Sequence, residues 1–573
     1  MTIPSLAPLS PALRAGLLAI SVLTGAAAAQ DPAARRERQV DSLFAEYTMG
    51  LSPGAAVAVV RDGQVLLSRG YGYASLEHRT PITPATVFDV ASVSKQFAGL
   101  AVAMLADQGR IQLSDDIRKY LPQLADVGKT ITIDHLVHHT SGLRDWPGTL
   151  RLAGWQYDDV ISFSQILTFA ANQRTLNFAP GSEYMYSNTG FNLLAEMVGQ
   201  VTGTSFRAWT TEQLFRPLGM TNSHFHDDHR EVVPNRANGY GRTPNGMAAI
   251  TNNLTALGSS SLFTTVEDMA RWVMNFDDPK VGGPKAMALS RTKGVLTNGT
   301  TIPYAFGISH GEYRGLPTLS HGGSWAGFTT AVLHFPGQRF SVVVLANSPI
   351  VPATRFANFI ADFYLGAEMA RHPTATPAAG TRAATTDPVA SAPPVAATPE
   401  ALDRYPGVYR FGPGLYLRIA RNGDRLTAET MPGPDSPMTP KSDTSFWLPG
   451  YNSAVVFHPT GSTVTAEFRG LRSAKYPVAA PQLPQFAGDY WSDELATLYQ
   501  VEVKDDKLVL RHRRHPPNSL TWLAGDDFAG VPGSMRSVEF LRDSAGQVTG
   551  FSVFIDERSR DVRFSKQPSR NQK

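Results

Sequence analysis

Apolar and polar positions change period twice along this chain. Residues 55–60 and 64–68 are short apolar-rich runs flanking Arg61-Asp62-Gly63, and residues 327–335 and 340–346 flank Pro336-Gly337-Gln338 in the same way. Apolar runs on either side of a tight, glycine-bearing turn predict two β-hairpins. Between them the period lengthens, and residues 93–108, 191–201 and 265–276 carry apolar positions at helical spacing. Strands at both ends of a helical middle predict an α+β domain, with helices on an antiparallel sheet built from the two ends of the segment.

The pattern breaks at residues 373–399, where 21 of 27 positions are Ala, Pro or Thr. Such a stretch has too little apolar surface to order itself and reads as an extended linker. Beyond it the chain repeats. Tyr405-Pro-Gly-Val-Tyr409 matches Phe486-Ala-Gly-Asp-Tyr490, Leu426 matches Leu508, Phe446 matches Phe528, and Val464-Thr465 matches Val548-Thr549, at offsets of 81 to 84. Each unit alternates apolar and polar positions between turns such as Asn422-Gly423 and Asp505-Asp506, which predicts short antiparallel strands forming two small barrels or one shared β assembly.

At 573 residues the chain exceeds one compact core. The expected division is a signal peptide at 1–29, a first domain at 33–371, a linker at 372–399, and β repeats at 400–480 and 481–568. Arg14, an apolar run from Ala15 and small residues at 26–29 describe an export signal, which implies a periplasmic or secreted protein with no stable membrane span. The 52 basic against 49 acidic residues give a net charge of only +3, which argues against a nucleic-acid groove. With no cysteine, a thiol nucleophile, disulfides and Cys-ligated zinc are excluded.

No G-x-S-x-G elbow, H-E-x-x-H pair or phosphate-binding glycine loop occurs. Ser92-Val-Ser-Lys95 lies where an extended run passes into the helix expected from about Val93. A serine there meets free backbone N–H groups, and a lysine three residues on shares its face, where partial desolvation leaves its amine able to take the serine proton. The tetrapeptide alone fits a helix N-cap better than a catalytic pair, and Ser290-Arg-Thr-Lys293 repeats the pattern in a polar stretch. Tyr186 and Asn188 sit on a loop before an apolar helix, where a phenol can relay a proton and an amide can hold a carbonyl. His321-Gly322-Gly323-Ser324 sits just ahead of the second hairpin, where small residues admit a substrate backbone and the Ser324 N–H can join that of Ser92 as an oxyanion hole. Taken singly, Tyr186 also reads as a core aromatic, Asn188 as a turn or cap residue, and His321 as a loop histidine.

Ser92-x-x-Lys95, Tyr186-x-Asn188 and His321-Gly-Gly323, in that order, resemble the serine β-lactamase and penicillin-binding protein superfamily, in its class C-like branch. Residues 131–143 and 258–270 resemble the same branch, and the C-terminal repeats resemble the lipocalin-like β domains appended to D-aminopeptidases. The resemblance implies an α+β fold with an all-helical region. It implies Ser92 as the acylated nucleophile, Lys95 and Tyr186 sharing acid and base roles, Asn188 orienting substrate, and the Ser92 and Ser324 amides holding the oxyanion. His321, Gly323 and Ser324 would border the substrate, and no cofactor is called for. Where related β-lactamases carry Lys-Thr-Gly, this chain has His321-Gly-Gly323; a largely neutral imidazole is a weaker carboxylate clamp, which resembles D-aminopeptidases and several esterases.

The expected function is a secreted serine hydrolase forming an acyl-enzyme on small amide or peptide substrates, including D-amino-acid peptides. A carboxylesterase, a D-Ala-D-Ala carboxypeptidase or β-lactamase, and a penicillin-binding sensor that is acylated without turnover are the alternatives. The stretch 522–533, with Asp526 and Asp527 at its tip, reads first as a plain solvent loop, and is also long enough to reach over a neighbouring cleft and meet a substrate ammonium. His224-Phe-His226-Asp-Asp-His229 resembles a metal cluster but reads as a polar loop, and the family resemblance implies that His138 and His139, before Thr140-Ser-Gly, form a structural turn.

Overall fold

In a computed structural model the described residues are 31–370, 389, 392–430, 435–476, 478, 481–530 and 535–568. The expected export signal, most of the linker and the end of the 522–533 stretch lie outside them.

Both expected hairpins form. Strands β1 (Ala55–Arg61) and β2 (Gln64–Tyr71) make the first, and β5 (Phe328–Phe335) and β6 (Phe340–Ala346) make the second. With β3 (Ser309–Tyr313) and β4 (Leu316–Trp325) they form one sheet in the order β3-β4-β5-β6-β1-β2. The two ends of the segment meet at β1 and β6, which pair antiparallel from Ala55↔Ala346 to Arg61↔Phe340.

These central strands read as unbroken apolar runs because both sheet faces are covered. Val57, Val59, Val342 and Val344 point to one side, into a core with Val40, Phe44, Phe356 and Ile360 from helices α1 (Pro32–Leu43) and α6 (Ala353–Leu365) and the turn after α1. Ala56, Ala58, Val343 and Leu345 point to the other, against Phe97, Phe191 and Trp272 from helices α2 (Lys95–Asp107), α4 (Asn188–Thr202) and α5 (Val266–Asp277). Among the described residues no helix is long and apolar enough to cross a membrane.

The C-terminal repeats form two β units. In the first, nine strands run in an order whose two ends, Asp435–Pro437 and Thr439–Pro440, are sequence neighbours, so the sheet curls round upon itself. The second closes into an eight-stranded barrel. The sequence repeat corresponds to a shared device: Tyr409 OH donates to the Tyr405 carbonyl at 2.9 Å, and Tyr490 OH to that of Phe486 at 2.7 Å.

The barrel packs on helix α3 (Trp146–Leu152) of the first domain. Trp146, Leu150 and Leu152 share one apolar core with Tyr499, Leu510 and Met535, and Tyr499 OH donates to the Leu152 carbonyl at 2.8 Å.

The described part of the 522–533 stretch, residues 522–530, folds back as a tight hairpin turn rather than reaching outward, with Trp522 Nε1 donating to Gly525 O at 3.0 Å. Asp526 pairs with Arg542, and Asp527 is buried between the two β units, hydrogen-bonded by Tyr416 OH. A different barrel loop, residues 556–561, faces the first domain: Asn177 Nδ2 donates to Arg558 O at 3.0 Å, and the Thr149 and Ser559 hydroxyls lie 2.7 Å apart.

Candidate active site

Ser92 stands in a 3₁₀ turn, Ala91–Ser94, that runs directly into α2. The helix proper therefore begins two residues later than the pattern suggests. The turn is forced. Ala91 has φ 47°, a region that side chains disfavour, and its N–H is held by Asp89 Oδ1 at 2.8 Å. Asp89 is itself fixed by Asn252 Nδ2 at 2.8 Å. From the other side, Thr330 Oγ1 on β5 donates to the Val90 carbonyl at 2.9 Å, which locks the turn against the sheet.

Residues three apart eclipse in a 3₁₀ turn, and this brings Lys95 over Ser92. Lys95 Nζ lies 3.2 Å from Ser92 Oγ, 2.8 Å from Asn188 Oδ1 and 2.7 Å from the Ser259 carbonyl. Its side chain is fully buried. Burial drives the Lys95 amine well below its ordinary pKa, Arg558 pushes the same way, and Asp145 opposes them. The neighbours suit the neutral form: the two amine N–H groups donate to the two carbonyl-type oxygens, and the lone pair remains for the Ser92 hydroxyl.

Tyr186 precedes α4 on a loop fixed at both ends by His139, whose carbonyl accepts from Met185 N–H at 2.8 Å and whose Nδ1 accepts from Ser187 N–H at 3.1 Å. The His139 ring packs 4.3 Å from the Tyr186 ring, centroid to centroid. His139, expected only to form part of a turn before Thr140-Ser141-Gly142, in the structure braces the loop that carries Tyr186, a role the sequence did not reveal. Burial pushes the phenol's pKa up, and the nearby Ser92 hydroxyl opposes this. Lys95 Nζ lies 4.8 Å from its ring centroid.

Asn188 begins α4 behind Lys95 and does not line the cleft. Its Oδ1 receives Lys95, while its N–H and Nδ2 donate to the two carboxylate oxygens of Asp145 at 2.8 and 3.1 Å. With both ends of the amide engaged, the geometry suits holding the lysine rather than a substrate.

On β4, the Gly322 carbonyl accepts from His321 Nδ1 at 2.7 Å, so Nε2 is the acceptor for Tyr304 OH at 2.9 Å. Burial, aided by Lys95, pulls His321 down to about 4, leaving it neutral. His321, Gly323 and Ser324 border a cleft of about 870 Å³ together with Ser92, Tyr184, Tyr186 and Arg558. All seven residues named from sequence converge here, five of them on the cleft and Lys95 and Asn188 just behind it.

Asp145, Ser259, Tyr304 and Arg558 were not singled out from sequence. Ser259 falls within the 258–270 stretch, whose serine run was the available signal. Asp145 precedes Trp146-Pro147 and reads as a plain helix start, and nothing in the sequence around Arg558 points to chemistry.

His224, His226 and Glu231 bring ligand-type atoms within 4.8 Å of one another, and His229 does not join them. The Glu231 carboxylate is gripped by Arg207 in two bonds of 2.6 and 2.7 Å.

Residues 40–366 match the protein family described as Beta-lactamase. A D-aminopeptidase of Gluconobacter oxydans is 33% identical over 316 residues, which span 55% of this chain and 59% of that protein. A D-aminopeptidase of Cereibacter sphaeroides is 28% identical over 464 residues, 79% of this chain and 82% of that one. The octameric penicillin-binding protein homologue from Pyrococcus abyssi superposes with a TM-score of 0.54 at 21% identity, over 77% of this chain and 99% of its own. At that identity the likeness is one of fold.

Proposed function

The chain belongs to the Beta-lactamase family, and from that membership we propose that it is a serine hydrolase that is acylated on Ser92 and cleaves small amide or peptide substrates, D-amino-acid peptides among them. The observation that carries this reading is the approach of a desolvated Lys95 amine to within 3.2 Å of Ser92 Oγ at the edge of an open cleft that Tyr186 also lines.

The opposite shifts of the two neighbours divide their roles. Lys95, pushed down, is the base, and Tyr186, pushed up, stays protonated and passes the proton on. Ser92 Oγ attacks the substrate carbonyl carbon while its proton moves to Lys95 Nζ. The carbonyl oxygen becomes an oxyanion, received by the N–H groups of Ser92 and Ser324. The C–N bond then breaks, and the proton travels through Lys95 and Tyr186 to the leaving nitrogen. Water, deprotonated by the same pair, attacks the ester and returns Ser92 with its proton.

The two D-aminopeptidases support the choice of amide substrates and D-residues. Residues 1–29 are read as an export signal that places the hydrolase in the periplasm or outside the cell; fractionation and N-terminal sequencing of the mature chain test this.

D-alanine p-nitroanilide, p-nitrophenyl butyrate and nitrocefin, run on wild type and Ser92→Ala, test the activity. Anilide cleavage that disappears in the variant is the expected result. Fast ester turnover without amide cleavage overturns the substrate class, activity surviving in Ser92→Ala overturns the mechanism, and permanent labelling without turnover identifies an acylated sensor instead.

A further inference from the structure

The cleft beside Ser92 is one-sided in charge. Arg355 and Arg558 are its charged lining residues, His321 is neutral, and among the described residues no carboxylate lines it.

Arg558 is held there by the first domain. Its carbonyl accepts from Asp145 N–H and from Asn177 Nδ2, both at 3.0 Å, and Asn177 Oδ1 accepts from Arg560 N–H at 2.8 Å. The buried Arg144 donates to the carbonyls of Arg560 and Asp561 at 2.7 Å each. A loop gripped at four consecutive residues presents its side chain in a fixed direction.

The guanidinium lies 5.1 Å from the Tyr186 ring centroid. Its Nη1 is 3.6 Å from Asp145 Oδ2, close enough to orient it and too long for a hydrogen bond. The side chain is half exposed and borders the cleft. Arg355, at the start of α6, stacks 5.1 Å from Phe359 and has no ion-pair or hydrogen-bond partner among the described residues.

Tyr186 hands the proton to the departing nitrogen, so the leaving group lies on its side of Ser92, the side that Arg558 occupies. We propose that the Arg558 guanidinium, supported by Arg355, binds the free carboxylate of the leaving-group residue, so that the preferred substrates are short peptides whose released amino acid is C-terminal. The planar fork matches the two oxygens of a carboxylate. Strand β4 carries neutral His321 and offers no cation of its own, and the second β unit supplies one from the far end of the chain. The assignment rests on the acyl-transfer reading of Ser92.

The test is a matched pair, D-alanyl-glycine and D-alanyl-glycinamide, on wild type, Arg558→Gln, Arg558→Lys and Arg355→Gln. Two quantities are read: kcat/KM, and the concentration of each dipeptide that half-protects Ser92 from a fluorophosphonate. Wild type favours the acid over the amide by about 10- to 100-fold, the range for a hydrogen-bonded charge pair. Arg558→Gln brings that ratio close to one, mainly through KM; Arg558→Lys keeps part of it; and Arg355→Gln lowers it a few-fold. Equal handling of acid and amide by wild type, preference for the amide, no protection by the acid, or an unchanged ratio in a folded Arg558→Gln each overturns the assignment. A wild-type Ser92 that the fluorophosphonate does not label overturns the acyl-transfer reading, and this inference with it. Thermal melts of the variants separate loss of the subsite from loss of the fold.

Discussion

Arg144 Nη1 lies 3.1 Å from both carboxylate oxygens of Glu494, joining the first domain to the barrel by an ion pair whose arginine side chain has no exposed surface. The same guanidinium donates to the carbonyls of Thr175, Arg560 and Asp561. Removing one partner of a buried pair strands the other. Arg144→Met is therefore expected to lower stability by roughly 3–5 kcal/mol, while Arg144→Met with Glu494→Leu recovers much of the loss. Calorimetric unfolding of the single and double variants checks this. Equal loss in both would show that the carbonyl contacts, and not the ion pair, hold the junction.

The buried Lys95 makes activity and stability depend on pH in the same direction. Its pKa is lowered in the folded chain, so the neutral base appears as pH rises through that lowered value, and kcat/KM climbs with it. His321, already neutral above about 4, does not set that limb. Lys95→Arg, which stays charged, is expected to reduce kcat/KM by about 10³-fold or more.

For stability, the unfolded chain binds the Lys95 proton up to its ordinary pKa and the folded chain releases it earlier. Stability from this residue therefore rises with pH between the folded and the unfolded value. Lys95→Met should melt at a higher temperature than wild type at neutral pH and lose that slope, as thermal melts across pH would show.

Asp527 behaves in the opposite sense. Burial lifts its pKa from 3.8 to about 6, helped by Glu539, with Tyr416 and Arg410 opposing. An acid whose folded pKa is raised stabilises the fold below pH 3.8, and that contribution is lost as pH rises through about 6. Asp527→Asn should remove a decline on the order of 3 kcal/mol in the stability of the contact between the β units across that window. Melts of the variant at pH 4 and pH 7 measure it, and an unchanged pH dependence would contradict it.

Gly323 lies where β4 passes the serine turn. A Cβ there would collide with the Val90 carbonyl and Thr330 Oγ1, the two groups whose hydrogen bond locks the turn to β5. Gly323→Ala should therefore displace Ser92 from Ser324 and lower kcat/KM by about 10²-fold, with a smaller change in melting temperature. Wild-type kcat/KM in the alanine variant would mean that the strand yields without disturbing the oxyanion site.

The sequence by itself determined what depends on neighbours in the chain. Gly-bearing turns between apolar runs marked both hairpins, and helical spacing marked α2, α4 and α5. The three-residue step from Ser92 to Lys95 put the amine over the hydroxyl because a single turn spans that distance. The 81- to 84-residue offset exposed the β repeat, down to the paired Tyr409 and Tyr490. Only the tertiary structure decided which groups surround that serine and how they ionise. Asp145, Ser259 and Arg558 are brought to Lys95 from separate elements, Arg558 by the docking of a barrel hundreds of residues away, and no local pattern records such a meeting. The acidic tip at Asp526 and Asp527 shows the converse: its composition suggested a substrate contact, and packing buried Asp527 against Tyr416 instead. Whether Lys95 carries a charge follows from its burial, a property of the packed domain that no stretch of residues possesses alone.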